Sequence, residues 1–211
     1  MTPTPGASLL QPSSRWRNWG RSAASEPAHV ARPANPDEVV AIVRAAAERG
    51  LAVKAVGAGH SFTDIAATRG VLIELDGLQG IVGVDATRKR VRVAAGTRLW
   101  QLGPALREYG LALENMGDID RQSIAGATST GTHGTGLRYG GLATQIVGAT
   151  LVTGTGDVLR VDDDHRPELL PAVRLGLGAL GILVEVELQC VDAFLLRSVD
   201  HPAPFDEVLD G

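Results

Sequence analysis

The stretch Ala55-Val56-Gly57-Ala58-Gly59-His60-Ser61-Phe62 carries more information than any other part of this chain. It follows an apolar, strand-like run and places two glycines directly before a histidine and a serine. Glycines at this spacing let the backbone turn tightly and present N–H groups to an anion, because no Cβ blocks the approach. The pattern fits either a tight surface turn or a backbone cradle for a phosphate group.

A second glycine-rich stretch covers residues 123–136. It contains Ser123-Ile124-Ala125-Gly126 and, further on, Thr130-Gly131-Thr132-His133-Gly134-Thr135-Gly136. Its hydroxyl groups are able to hydrogen-bond phosphate oxygens without adding charge. Together the two stretches predict a clamp on a large phosphate-bearing cofactor.

The glycine pattern does not fit a Rossmann site. Phe62 stands where the G-x-G-x-x-G fingerprint has its third glycine, which normally lets helix and strand pack closely. A formal match at residues 176–181 follows a predicted helix and precedes a predicted strand. The fingerprint requires the opposite order, strand, loop and then helix. The chain also lacks the G-x-x-x-x-G-K sequence of a nucleotide triphosphatase.

Metal-dependent and hydrolytic chemistry find little support in the sequence. His60 and His133 have no carboxylate or cysteine at ligand spacing, so no metal site is predicted. Residues 162–165, Asp-Asp-Asp-His, are expected to form a solvated loop. A Ser-His-Asp hydrolase is not supported, because the chain has no nucleophile elbow.

The bulk composition is that of an ordinary globular protein, with 44% hydrophobic and 21% charged residues in 211. A net charge of −4 without a basic run argues against nucleic acid as a partner. The single cysteine, Cys190, is expected to be a buried structural thiol in a reducing compartment. The first residues lack a signal-peptide pattern, and no apolar run approaches the roughly 20 residues that span a bilayer. We therefore expect a cytoplasmic protein.

Predicted strands and helices are mixed and do not alternate regularly. Asn35-Pro36-Asp37-Glu38 predicts a helix start, with Asn35 as N-cap and Glu38 completing a capping box. Further helices are predicted over residues 98–109 and 167–175. Strands are predicted over residues 52–56, 71–75, 81–84, 91–95, 145–153, 158–161 and 182–191. Strands outnumber helices, which favours an α+β fold over a doubly wound sheet.

The motifs follow one another in a characteristic order. Gly-x-Gly-His-Ser is followed by Asn-Met-Gly-Asp, by Ser-Ile-Ala-Gly with Thr-Gly-Thr-His-Gly-Thr-Gly, and by Leu-Gly-Ala-Leu-Gly-Ile. This order resembles the FAD-binding domain of the aldonolactone and alditol oxidoreductases. These include the L-gulono-1,4-lactone dehydrogenase and D-arabinono-1,4-lactone oxidase types. They belong to the vanillyl-alcohol oxidase (p-cresol methylhydroxylase) flavoprotein superfamily.

The resemblance implies a two-lobed α+β domain of the p-cresol methylhydroxylase type, with FAD held between the lobes. It also implies that His60 matches a histidine which, in many members, bonds covalently to a methyl group of the flavin. The first segment, around the pyrophosphate, would comprise Ala55, Val56, Gly57, Ala58, Gly59, His60 and Ser61. The second cofactor segment would comprise Asp118, Ser123, Gly126, Thr130, Gly131, Thr132 and His133, with a backbone contact from Ile182.

Gly117 matches a position beside the flavin where family members carry alanine or glycine. The larger residue hinders oxygen from reaching the reduced ring, and glycine leaves room for it. Oxygen is therefore one expected electron acceptor, and a cytochrome or a quinone is the alternative.

The resemblance covers about residues 19–191. We expect residues 1–14 to be disordered and residues 15–192 to form the FAD-binding domain, with lobes at about 28–85 and 90–192. Residues 193–211 would begin a linker or a substrate domain that is otherwise missing. In the family that second domain binds the sugar and deprotonates its hydroxyl group, so no catalytic residue is expected in this chain.

The implied function is FAD-dependent oxidation of a CH–OH group in a sugar-1,4-lactone or alditol, with hydride transfer to flavin N5. A truncated, non-catalytic FAD-binding module is the alternative. A flavin reductase of cell-wall precursor synthesis matches the glycine–histidine pattern poorly. The expected partners are a small sugar lactone or polyol and the electron acceptor, and peripheral membrane association is compatible with the resemblance.

Overall fold

Two β-sheets organise the chain in the computed structural model, which describes residues 6–12 and 15–209. The strands are β1 (Gln11–Pro12), β2 (Trp16–Arg17), β3 (Ala24–Ser25), β4 (His29–Ala31), β5 (Val53–Val56), β6 (Val71–Glu74), β7 (Ile81–Asp85), β8 (Arg90–Ala94), β9 (Leu111–Ala112), β10 (Ile146–Val152), β11 (Val158–Asp162), β12 (Ile182–Gln189) and β13 (Val191–Asp192). The α-helices are α1 (Pro36–Glu48), α2 (Leu99–Arg107), α3 (Ile124–Ser129), α4 (Leu170–Arg174) and α5 (Phe205–Leu209). Short 3-10 helices cover Ala7–Leu9, Leu75–Gly77, Leu142–Gln145 and Pro167–Leu169.

The first sheet has the strand order β1-β4-β6-β5 and is covered by α1. Strands β4 and β5 both run parallel to β6, and β1 is antiparallel to β4. Helix α1 begins where the sequence predicts, because Asn35 Oδ1 accepts the Glu38 N–H at 2.9 Å. The Glu38 carboxylate accepts the Ala34 N–H at 2.8 Å. The buried face of α1, with Val39 and Ile42, then packs on the sheet.

The second sheet is antiparallel throughout, in the order β11-β10-β12-β8-β7. In β12 buried and half-buried residues alternate strictly, as expected for a strand with two unlike faces. One face packs with α2 and α3 to form the larger core. Val186 and Leu188 of β12 belong to this core, whereas Ile182 and Val184 on the same buried face, with Val152 of β10, belong to the core beneath α1, so the two sheets share a buried interface. The α+β fold and the two lobes agree with the prediction.

The boundary between the lobes differs from the predicted one. Strand β7 was assigned to lobe one, which we expected to reach residue 85. The structure pairs β7 with β8 in the second sheet instead, from Ile81–Val93 to Asp85–Arg90. A tight local turn, in which Asp85 Oδ1 accepts the Arg88 N–H at 2.9 Å, closes this hairpin. Lobe one therefore ends before Ile81.

The beginning of the chain is more ordered than its composition predicts. Residues 11 and 12 form β1 against β4, and Leu10 is buried in the core beneath α1. Disorder is therefore the wrong prediction for residues 6–12, because an apolar side chain anchors a segment rich in Pro, Ser and Thr. Residues 1–5, 13 and 14 lie outside the described part of the chain.

Helix α2 is shorter than expected. It ends at Arg107, so Tyr109 lies beyond the helix and is exposed, whereas Leu99, Leu102 and Leu106 are buried as predicted. Within residues 6–12 and 15–209, no helix is both long and apolar enough to span a membrane.

The segment after β13 projects from the domain. The Ala193 N–H still donates to the Gly110 carbonyl at 2.8 Å. Beyond it Phe194, Leu195 and Leu196 are exposed, as are the apolar side chains of α5. This arrangement is compatible with a linker, as predicted for residues 193–211.

Candidate functional site

A cleft lies where the two sheets meet. One wall is the end of β5 with the following glycine loop, and the other is the start of α3 with the loop before β12. Most of the predicted cofactor residues line this cleft: Ala55, Val56, Gly57, Ala58, Gly59, His60, Ser61, Ser123, Gly126 and Thr130. The fold thus brings together two glycine-rich stretches that are more than sixty residues apart.

Gly57 and Ser123 mark the closest approach of the two walls. A Cβ built on Gly57 would clash with Ser123 Oγ and lie 3.0 Å from Ser123 Cβ. Ser123 Oγ is fixed in turn, because it caps α3 by accepting the Gly126 N–H at 3.3 Å. Only glycine at position 57 lets the backbone of the loop come this close to Ser123, the serine that caps α3.

The glycine loop is held by the segment between β2 and β3. The Trp19 N–H donates to the Gly59 carbonyl at 2.8 Å, and Gly59 has a positive φ of 67° that favours glycine. The buried Asn18 amide donates to the Ser61 carbonyl at 2.7 Å. Asn18 Oδ1 also accepts the Ala23 N–H at 2.9 Å. The loop conformation therefore depends on Asn18 and its neighbours.

His60 lies at the cleft with its ring stacked on Trp19, the ring centroids being 5.2 Å apart. Burial lowers the pKa of His60 below its ordinary value, and the positive charge of Arg98 lowers it further. Arg98 is itself held by an ion pair with Asp76. The imidazole is therefore largely neutral at pH 7 and keeps a nitrogen lone pair.

Helix α3 was not predicted as a helix. Its residues include Gly126 and Thr128, which are poor helix formers, but Ile124 and Ala127 are fully buried in the larger core. Burial therefore overrides propensity in this six-residue helix. Thr130 Oγ1 donates to the Gly126 carbonyl at 2.9 Å, so this hydroxyl also helps to end the helix.

Five predicted cofactor residues do not line the cleft: Asp118, Gly131, Thr132, His133 and Ile182. Thr132 is tied to the cleft by the Gln122 side chain, which donates to Thr132 Oγ1 at 3.0 Å. Ile182 lines a second cavity, which shares Gly178 and Gly181 with the cleft. The cofactor-binding roles of these five residues, and of the ten that line the cleft, remain predictions.

Gly117 also lies outside the cleft, packed against the second glycine-rich stretch. A Cβ at Gly117 would lie 3.0 Å from Thr132 Cγ2 and 3.2 Å from the His133 carbonyl oxygen. These contacts are tight but not prohibitive, so alanine at this position would require small shifts of its neighbours.

The cleft is also lined by residues that were not predicted from the sequence: Trp16, Lys54, Ile65, Ala66, Leu75, Gln122, Ala125, Ser129, Leu177, Gly178, Gly181 and Leu183. A signal for two of them was present. Gly178 and Gly181 belong to the glycine motif that fails as a Rossmann fingerprint, and the motif supplies a wall of the cleft instead. The apolar residues carried no such signal.

The acidic sequence at residues 162–165 forms a hydrogen-bonded turn in which Asp162 is buried. Asp162 Oδ1 accepts the N–H groups of Asp164 and His165 at 3.0 and 2.8 Å. This differs from the solvated loop that we expected, because the first carboxylate of the run closes the turn. In the described residues, no group of three or more His, Cys, Asp or Glu side chains is arranged to hold a metal.

Comparison with known proteins agrees with this geometry. The model of the FAD binding domain family matches residues 27–162. L-gulono-1,4-lactone dehydrogenase of Mycobacterium tuberculosis is 44% identical over 197 residues, which are 92% of this chain and 45% of that protein. D-arabinono-1,4-lactone oxidase of Eremothecium gossypii is 39% identical over 93% of this chain and 38% of its own length.

A solved structure shows the same architecture. Chitooligosaccharide oxidase is similar over 80% of this chain and 36% of its own, with a TM-score of 0.72 and 27% identity. The chain spans less than half the length of each of these relatives. On the match of the family model and on these likenesses, the chain belongs to the FAD binding domain family.

Proposed function

We propose that the cleft between the two sheets holds FAD, and that the complete protein oxidises a CH–OH group of a sugar-1,4-lactone or alditol. The placement of FAD is carried by the close approach of Gly57 to Ser123, which brings the glycine loop and the start of α3 together at one cleft, where the glycines have no Cβ to block their N–H groups. The residues present therefore fit the cofactor.

The substrate class rests on the relatives, two of which are named for L-gulono-1,4-lactone and D-arabinono-1,4-lactone. When bound, FAD supplies the hydride acceptor, at flavin N5. The residues of this chain would hold and orient the cofactor: the glycine loop and Ser123 at the phosphates, and His60 at the flavin. Sugar binding and deprotonation of the hydroxyl group would fall to residues outside this domain.

We further propose a covalent bond between an imidazole nitrogen of His60 and a methyl group of the flavin. A largely neutral ring, oriented by Trp19, supports it, because bond formation needs a free nitrogen lone pair. The bond replaces one methyl C–H and one imidazole N–H, and it releases two protons and two electrons, which pass to an acceptor such as oxygen. It would anchor the flavin and raise its redox potential.

We propose oxygen as the electron acceptor of the complete protein, in preference to a cytochrome or a quinone. Support for this proposal comes from the family resemblance, in which the position of Gly117 lies beside the flavin and a glycine leaves room for oxygen. Replacing Gly117 by alanine should slow reoxidation by oxygen more than reoxidation by an artificial dye. Equal slowing with both acceptors would contradict it.

A cytoplasmic location is proposed as well, supported by a single cysteine that is buried as a thiol. Burial raises the pKa of Cys190 to about 11, as befits a structural side chain. Cell fractionation tests the location. Recovery in a washed membrane fraction would favour the peripheral association instead.

The test of the proposed reaction is anaerobic reduction of the complete protein's flavin by a panel of sugar-1,4-lactones and alditols. We expect the flavin absorbance to bleach with at least one of them. Retention of the absorbance with every member, in a protein that binds FAD, would favour the non-catalytic module.

A further inference from the structure

The cleft is almost free of charge, and Lys54 is the exception. All residues that line the cleft belong to the described part of the chain, and among them Lys54 alone carries a full charge at neutral pH. His60 is largely neutral there, because its pKa is lowered. The remaining lining residues are apolar, hydroxyl or amide side chains and glycines. An anionic ligand in this cleft would meet a single cation.

The Lys54 ammonium is half-buried and has no acidic partner. No carboxylate of the described residues forms a salt bridge with it, and its hydrogen bond to the Leu177 carbonyl is long, at 3.4 Å. An ammonium has three N–H donors, so two remain for a ligand. The other lysine of the chain, Lys89, lies 2.6 Å from Asp192. Lys54 is thus the lysine whose charge is left uncompensated.

Lys54 lies in one wall of the cleft, and its side chain reaches the other wall. It lies on β5 directly before the glycine loop, and its Nζ faces the loop that precedes β12. A Cβ built on Gly178 in that loop would lie 3.7 Å from Nζ. The cation therefore lies beside Leu177 and Gly178 in the cleft that the glycine loop also lines, and Gly178 lines the second cavity as well.

We propose that Lys54 binds the phosphate groups of the dinucleotide, as the charged complement to the neutral donors of the glycine loop. This inference rests on the proposed placement of FAD in the cleft. The pyrophosphate is anionic, and a hydrogen bond between ionised groups is about twice as strong as one between neutral groups. Three donors let Lys54 bind a phosphate oxygen and still hold the Leu177 carbonyl.

Ligand binding to the purified chain tests this assignment with FAD, ADP and riboflavin as probes. Lys54→Gln should weaken FAD and ADP about tenfold, as expected for loss of one charge-assisted hydrogen bond. It should leave riboflavin, which lacks phosphates, unchanged. Added salt should weaken FAD binding to the wild type more than to the variant. Lys54→Arg should retain most of the affinity, and Lys89→Gln should bind all three like the wild type.

Three results would overturn the assignment. Equal FAD affinity of the wild type and Lys54→Gln would show that the ammonium does not bind the cofactor. An equal loss for riboflavin and FAD would show that Lys54 only supports the loop at Leu177. If the wild type binds none of the probes, both this inference and the placement of FAD fail. A circular-dichroism melt of each variant confirms that it is folded.

Discussion

The indole ring of Trp19 stacks on the imidazole ring of His60, with the ring centroids 5.2 Å apart and the planes at 25°. Trp19 lies between β2 and β3, and His60 lies in the glycine loop. The stack therefore ties an N-terminal segment to the residue proposed to bond to the flavin. Trp19 itself is 66% exposed, so one face of the indole remains open to solvent.

Removing Trp19 should change the titration of His60. In Trp19→Ala the imidazole is more exposed, and since burial is the main cause of its lowered pKa, the pKa should rise towards 6.5. Arg98→Gln should also raise it, by removing a positive charge. An NMR titration of the His60 ring protons measures both changes. An unchanged pKa in both variants would contradict this account of the His60 environment.

The approach of Gly57 to Ser123 predicts an interaction between two substitutions. Gly57→Ala should weaken FAD binding about tenfold or more, because the new methyl group clashes with Ser123. Ser123→Gly alone should have a smaller effect, since glycine is tolerated at a helix N-cap. The double variant should recover much of the lost affinity. Strictly additive losses in a double-mutant cycle would contradict a direct clash.

Asn18 should contribute to stability through its buried amide. Asn18→Ala leaves the Ser61 carbonyl and the Ala23 N–H without their partner, which should cost about 2 kcal/mol of unfolding free energy. Ser22 is the comparison residue, because its hydroxyl donates to the Phe62 carbonyl at 2.6 Å and accepts an Asn18 amide N–H at 2.9 Å, so its removal leaves the bonds of Asn18 to Ser61 and Ala23 in place. Ser22→Ala should cost much less. Urea unfolding of the two variants compares them, and equal losses would argue against a special role for Asn18.

Asp162 should make stability depend on pH in the acid range. Burial raises its pKa, but hydrogen bonds from His165, Arg160 and two backbone N–H groups outweigh burial and lower the pKa from 3.8 to about 2. A lowered folded-state pKa stabilises the protein above the unfolded-state value, by about 2 kcal/mol. This contribution should be lost as the pH falls from about 4 towards 2.

The comparison variant is Asp162→Asn, which cannot titrate. Urea unfolding at pH 7 and near pH 3 should show a difference from the wild type that shrinks at the lower pH. A difference that is constant with pH would contradict the proposed role of the carboxylate.

Local signals in the sequence were sufficient for the elements that they specify completely. Asn35 and Glu38 define the start of α1. The alternation of apolar and polar residues along β12 identifies a strand with two unlike faces. The glycine loop was recognised because the geometry it needs is encoded within eight neighbouring residues.

Features that depend on distant residues were missed. Strand β7 was assigned to the wrong lobe. Its pairing with β8 places it in the second sheet, and composition does not reveal that pairing. Helix α3 is stabilised by burial of Ile124, against its weak propensity. Lys54 gains its place in the cleft from a loop more than a hundred residues further along the chain. These contacts form only in the complete fold, so no local pattern in the sequence indicates them.

Titration of the purified wild-type chain with FAD, followed by flavin fluorescence, is the decisive experiment on whether this cleft binds FAD. We expect saturable binding that quenches the flavin, and binding at least about tenfold weaker in Gly57→Ala under the same conditions. Acid denaturation of the complex followed by a gel then shows whether flavin stays with the wild-type band and leaves that of His60→Ala. No binding by the wild type, or equal binding by Gly57→Ala, would contradict the placement of FAD in this cleft.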